Sequence, residues 1–429
     1  MGHADSGRKH ALVVRASFSA LGGAERELLQ LIPFLEDTWN VSLATLEFSD
    51  EARALFSSDT TNVFSSTTPL KAKNGLFHEV RNSTSKQAKR LWKTVKIPWQ
   101  SIDVVHISVC RGSLEILPFI PHHIPIHYHC LEPPRWLYED VLHKDIFGRL
   151  KRPAFLTNLA LRKQKKDDQK FVEQLKKRNS TTISGNSFFT SNRLTNIYKF
   201  NQPCTTTNGQ PPQRNDNGQP QQATFLHHAI DLQQWPVEPS TDEISAVNQL
   251  KLPSKYVVTV GKISHVKGTV ETITSLQHTG IALIHIGGGS PQEKEHLMNH
   301  ASQLGVEVRC MPRLTQTEIC GIVRGAVAMV SHAHGEPFGL TPIEALSIGI
   351  PPVVVDDGGF SETMSGIDGS FLFQRSESDN MLSLLERAQR EEVRLDCYQR
   401  GRPYVESHFS FQHEAKMLTQ LLEELLTTS

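Results

Sequence analysis

Two glutamates, Glu336 and Glu344, stand with seven residues between them in the stretch SHAHGEPFGLTPIEALSIGIPPVVVDDGGFSE, residues 331–362. After the first, Pro337-Phe338-Gly339-Leu340 reads as a turn. Pro342 to Ser347 then reads as the opening of a helix, with Pro342 near its first position. A helix start carries partial positive charge and free N–H groups. The amides of Phe338, Gly339, Leu340 and Thr341 therefore make an anion site suited above all to a diphosphate, and Gly339 permits close backbone approach. Glu336 precedes this site and Glu344 lies about two turns beyond it. One carboxylate can then meet the sugar side of a diphosphate, the other a hydroxyl pair on the nucleoside side. Two acidic residues placed for the helix dipole would give the same spacing by chance. The EPFGL turn, the helix and the Gly358-Gly359-x-x-Glu362 sequence that follows favour the ligand site.

A second set of charges lies upstream. Tyr256–Val260 reads as a buried strand and is followed by GKISHVKG, in which Lys262 and Lys267 bracket a strand-to-helix loop. Both ammonium groups can reach one diphosphate as point charges; a solvated loop explains the pair equally well. Near the start of the chain, the strand Ala11–Val14 leads through Gly22-Gly23 into a helical period. This is a weaker anion cradle without the G-x-G-x-x-G fingerprint, and a plain strand-to-helix turn has the same pattern.

These loops require parallel strands to hold them. Residues 41–46, 103–107, 125–130 and 182–187 supply apolar runs in the first half, and residues 281–286, 306–310, 326–330 and 353–355 in the second. Alternating with helical segments, they predict an α/β fold of parallel sheets. The 429 residues suffice for two or three domains. No apolar run approaches the roughly 18 residues of a membrane span, and MGHADSGRKH lacks the apolar segment of a secretory signal. The six cysteines are scattered without a C-x-x-C, which suits a reducing cytosol. No D-x-D triplet offers ligands for a metal on a diphosphate, so no metal and no separate cofactor are expected.

Net charge is zero, but residues 1–200 carry 29 Lys+Arg against 19 Asp+Glu. The basic stretches 71–97, with Lys86, Lys89, Arg90, Trp92, Lys93 and Lys96, and 149–178 read as surface helices. They suit either peripheral contact with an anionic membrane or plain solvation. No nucleic-acid module accompanies them, so nucleic acid is not an expected partner. Residues 202–223, a Gln/Asn/Pro/Gly tract, are expected to form a disordered loop.

The Glu336–Glu362 stretch resembles the donor-site signature of the retaining GT4 glycosyltransferases of the GT-B fold: Glu-Pro-Phe-Gly-Leu, a second Glu after seven residues, Gly-x-Pro, an apolar strand and Gly-Gly-x-x-Glu. The resemblance implies two Rossmann-like domains facing across a cleft. An acceptor-side domain would span residues 1–232 and a donor domain 233–408, with a C-terminal helix over 409–429 crossing back to the first. It implies retaining, metal-independent transfer of a hexose from a nucleoside-diphosphate sugar, GDP-mannose or UDP-hexose. The hydroxyl acceptor would be lipid-linked or a surface glycan, reached from the cytoplasm at the membrane's inner face. A non-catalytic sugar-nucleotide-binding paralogue and a sugar phosphorylase or sugar-phosphate synthase of the same fold are the alternatives.

By the same resemblance, Gly22, Gly23, Lys262, Lys267, Gly288, Arg313, Glu336, Phe338, Gly339, Leu340, Thr341 and Glu344 bind the donor, with Arg313 in the loop beside the base. Lys262 stands where the family has Arg. The catalytic candidates are Glu336, Lys267 and His129. Leu131 occupies the place of a family histidine; His129, two residues earlier on the same strand face, is either its substitute or a core histidine.

Overall fold

The computed structural model describes residues 7–19, 21–71, 83–178, 180–204, 207–210, 212–216, 219–367 and 371–427. They form two compact units. The first comprises Met1–Tyr138, Pro153–Ala229 and Phe411–Ser429; the second comprises Glu139–Arg152 and Ile230–Ser410. The excursion 139–152, which joins the second unit, has no signal in the sequence.

In the first unit, seven parallel strands form one sheet: β1 (His10–Val14), β2 (Asn40–Thr45), β3 (Asn62–Ser65), β4 (Val104–Ser108), β5 (Ile126–Leu131), β6 (Thr181–Gly185) and β7 (Thr224–Phe225), in the order β3-β2-β1-β4-β5-β6-β7. Ala11 to Val14 are wholly buried, as a strand covered on both faces requires. Helix α1 (Gly23–Leu35) buries Leu28, Leu31, Ile32 and Leu35, an i, i+3, i+4, i+7 stripe. The C-terminal helix α2 (Phe411–Thr427) answers with Phe411, Ala415, Leu418, Leu422 and Leu425. Phe34 and Phe411 stack at 5.4 Å, and Trp39 Nε1 donates to Thr419 Oγ1 at 3.2 Å. Each such buried side chain contributes roughly 1.5–3 kcal/mol relative to exposure.

The second unit holds six parallel strands: β8 (Tyr256–Val260), β9 (Ala282–Ile286), β10 (Val308–Met311), β11 (Met329–Ser331), β12 (Pro352–Val355) and β13 (Leu372–Phe373), in the order β10-β9-β8-β11-β12-β13. Strand order reverses between β8 and β11. In open α/β sheets, ligands bind beyond the carboxyl ends of the strands at such a switch point. The loops after β8 and β11 are the two that carry Lys262, Lys267 and Glu336.

Two expectations are corrected. Trp92 is not an interfacial aromatic: it is buried against Ala88 and Val95, and Nε1 donates to Gly112 O at 2.7 Å. Residues 72–82 of that basic stretch lie outside the described residues. The described part of 202–223 is folded, not disordered. Arg214 donates to Thr181 O at 2.8 Å and Thr182 Oγ1 at 3.0 Å, Gln221 N donates to Gln213 O at 2.8 Å, and Cys204, Gln222 and Ala223 are buried. The tract lacks apolar content, but its polar groups find partners on β6 and within the loop itself.

Candidate active site

Glycines set the close approaches at the switch point. Gly287, at φ +151°, would place a Cβ 1.9 Å from Gly261 O, so only glycine lets the loops after β8 and β9 touch. Ile263 N then donates to Gly288 O at 2.8 Å. Gly268 ends the turn His265–Lys267 at φ +61°, where a Cβ would lie 2.1 Å from His332 O. His334 N donates to Val266 O at 2.8 Å, joining the loops after β8 and β11.

That junction brings Lys267 Nζ to 2.8 Å from Glu336 Oε2, with the carboxylate 15% exposed and the ammonium 36%. Glu336 is fixed through its backbone: it bridges Gly358 in parallel register and accepts from Gly359 N at 2.7 Å. A Cβ on Gly358 would stand 2.3 Å from Glu336 O, which explains the first glycine of the Gly-Gly pair. Arg375 braces the same loop by donating to His332 O at 2.9 Å, Ala333 O at 2.8 Å and Asp357 Oδ2 at 3.1 Å. Sequence reasoning missed Arg375, because nothing local to residue 375 signals those partners.

The following helix, Leu340–Ser347, begins at Gly339 with φ +102° and no side-chain cap. Leu340 and Thr341 hold its first two positions, where amides have no partner within the helix. Pro342 is the third residue and not near the first; it removes one donor from the set. The Phe338 ring is buried against Phe409 at 5.7 Å, which leaves its backbone as the part that can face a ligand. Two turns on, Glu344 has its carboxyl pushed up to about 7 by burial. Among the described residues no ion pair or hydrogen bond reaches that carboxyl, so it stands ready for a hydroxyl pair. Lys262, Gly288 and Arg313 are exposed at the ends of β8, β9 and β10.

The first unit carries the other candidates. Gly22 N donates to Glu25 Oε2 at 3.1 Å, and Glu25 pairs with Arg15, so the Gly22-Gly23 cradle already holds an internal carboxylate. His129 lies inside the core with Nδ1 on Ser184 Oγ at 2.9 Å, in a chain with His127 and His106. Its Nε2 is buried without a partner among the described residues, and burial keeps the ring neutral by lowering its pKa well below the ordinary value. The structure thus places it as a core histidine. Leu131 ends β5 at a left-handed φ of +53°, where the register with β6 shifts; such a backbone costs roughly 1–2 kcal/mol outside glycine.

Two parallel α/β sheets of this kind are the GT-B glycosyltransferase fold. Solved structures match nearly the whole chain: sucrose-phosphate synthase from Thermosynechococcus elongatus at TM-score 0.67 and 16% identity, covering 98% of this chain and 100% of that one. HepE of Anabaena, solved with UDP and glucose, matches at TM-score 0.63 and 15% identity, covering 97% and 100%. At these identities the likeness is one of fold alone. Residues 240–402 match the family model "Glycosyl transferases group 1". Glycogen synthase of Mycobacterium tuberculosis is 28% identical over 148 residues, 33% of either chain. The lipopolysaccharide core biosynthesis mannosyltransferase LpsB of Rhizobium meliloti is 24% identical over 216 residues, 47% of this chain and 61% of that one. The matches thus span between a third and three fifths of the length of these relatives.

Proposed function

We propose that the chain is a retaining glycosyltransferase of the GT4 type that moves a hexose from a nucleoside-diphosphate sugar to a hydroxyl acceptor. The observation that carries this is the Lys267–Glu336 pair at the β8/β11 switch point, beside an uncapped helix start with the unpartnered Glu344 two turns on. The amides of Gly339, Leu340 and Thr341 receive the diphosphate. Lys267, with Lys262, neutralises the charge that builds on the departing diphosphate, an interaction stronger in the transition state than in the ground state. Glu336 faces the transferred sugar, and Glu344 accepts from the ribose hydroxyls. No step needs a metal. The structural neighbour solved with UDP-glucose belongs to the donor class proposed. The experiment is a calorimetric screen of UDP-glucose, UDP-GlcNAc, UDP-galactose and GDP-mannose, and anomeric analysis of the product tests retention.

The acceptor is proposed to be lipid-linked, at the inner face of the membrane. The helix Ala154–Lys176 supports this: Phe155 is 70% and Leu159 67% exposed, and the exposed Arg162, Lys163 and Lys166 follow at helical spacing. An apolar wedge flanked by cations suits an anionic interface. The second reading, a sugar-nucleotide-binding paralogue without transfer activity, is favoured by Leu131 at the family histidine's place with His129 buried; a donor-hydrolysis assay separates the two.

A further inference from the structure

We propose that His265, Glu271 and His334 form a binding site for a divalent transition-metal ion, zinc by preference. His265 lies in the turn after β8, Glu271 on the helix Thr269–Ser275 and His334 in the loop after β11. His265 Nδ1 stands 3.6 Å and His334 Nε2 2.7 Å from Glu271 Oε1, and the three donor atoms lie within 4.8 Å of one another. Tetrahedral zinc with ligands at about 2.0–2.1 Å needs neighbouring donors about 3.3 Å apart, so small side-chain shifts complete the set. Two imidazoles and a carboxylate suit zinc over magnesium or calcium, and three protein ligands leave a position open.

A second observation points to a ligand. Glu271 Oε2 is shielded from water and has no partner among the described residues; a metal ion would satisfy it. Metal binding requires neutral imidazole, and burial, with His334 beside it, lowers the pKa of His265. The groups facing the site include cations: Lys144 acts on His265, and Arg375 Nη1 lies 3.4 Å from His334 Nε2. Arg375 is itself held by two carbonyls and Asp357, so it moderates affinity without occupying a donor atom. A bound ion would tie the two loops two residues upstream of Lys267 and of Glu336. The missing D-x-D concerns a clamp on the diphosphate and has no bearing here, and this site does not rest on glycosyl transfer.

The test titrates the metal-free full chain with Zn²⁺ by calorimetry and with Co²⁺ by visible absorption. One zinc per chain is expected, with at least about 10-fold weaker binding in His265→Ala, His334→Ala and the shape-preserving Glu271→Gln, since even outer-sphere changes cost 10–100-fold at metal sites. The cobalt spectrum should lack a thiolate band, which matters because the chain has six cysteines. Absence of saturable binding, undiminished affinity in the folded Glu271→Gln variant, or a thiolate band overturns the proposal.

Discussion

Lys267 Nζ and Glu336 Oε2 lie 2.8 Å apart across two loops separated by 69 residues of chain. The pair is partly buried, so removing either member strands the other charge. With donor bound, the lysine must turn to the diphosphate while the glutamate faces the sugar. Lys267→Ala should lower kcat by roughly 10²-fold, as loss of an oxyanion donor does. Glu336→Gln should cut turnover while sparing free nucleoside diphosphate. In the double variant the losses should be non-additive by about 0.5–3 kcal/mol, the range for residues in contact. Strict additivity in kcat would place the two residues in separate roles.

Two groups of buried residues give opposite pH dependences. The folded-state pKa of Glu344 is raised to about 7, so its contribution to stability is complete at low pH and is lost as pH rises through 7. Glu344→Gln should therefore gain Tm relative to the wild type between pH 5.5 and about 8, and parallel curves would refute the shift. The buried His106 and His285, both lowered to about 4, His332, lowered to about 3, and His127 and His129, held well below the usual value, act the other way. Their contribution is present above pH 6.5 and is lost as pH falls. At up to about 1.4 kcal/mol per unit each, five imidazoles outweigh one carboxyl. The Tm of the wild type should fall steeply below pH 6.5, and a flat profile down to pH 5 would contradict this.

Arg214 anchors the 202–223 tract to β6. Arg214→Ala should lower Tm by several degrees, since it strips two hydrogen bonds, each worth about 0.5–1.5 kcal/mol net, from β6 carbonyl and hydroxyl groups. An unchanged Tm would show that the tract contributes nothing to the fold.

Flotation with anionic vesicles checks the membrane proposal. Binding at low salt and release at high salt are expected, because each engaged cation contributes about 1 kcal/mol and is screened by salt. Phe155→Ser with Leu159→Ser should weaken it. Indifference to vesicles at low salt removes the lipid-linked acceptor and leaves the donor site standing.

What the sequence made legible was local. The anion turn at Gly339, the two glutamates and the Gly358-Gly359 pair all lie within 32 consecutive residues, where period and turn chemistry determine the arrangement. The apolar runs gave the strands because parallel strands are buried on both faces. What stayed hidden depends on partners far along the chain. Arg375 caps carbonyls 42 and 43 residues away, and His265, Glu271 and His334 meet only once β8 and β11 are neighbours. Trp92 sits in a basic stretch but turns inward, because one face of its helix meets the core. The 202–223 tract read as disordered because composition reports the want of apolar contacts and not hydrogen bonds to another strand's edge.

The most direct measurement is the calorimetric screen of UDP-glucose, UDP-GlcNAc, UDP-galactose and GDP-mannose, run in parallel on the wild type and Glu344→Ala. The account predicts saturable binding of at least one donor and of its free nucleoside diphosphate. Both should weaken by about 1–3 kcal/mol when the ribose-facing carboxylate is removed. Failure of every donor to bind, or equal affinity in the folded variant, would contradict it.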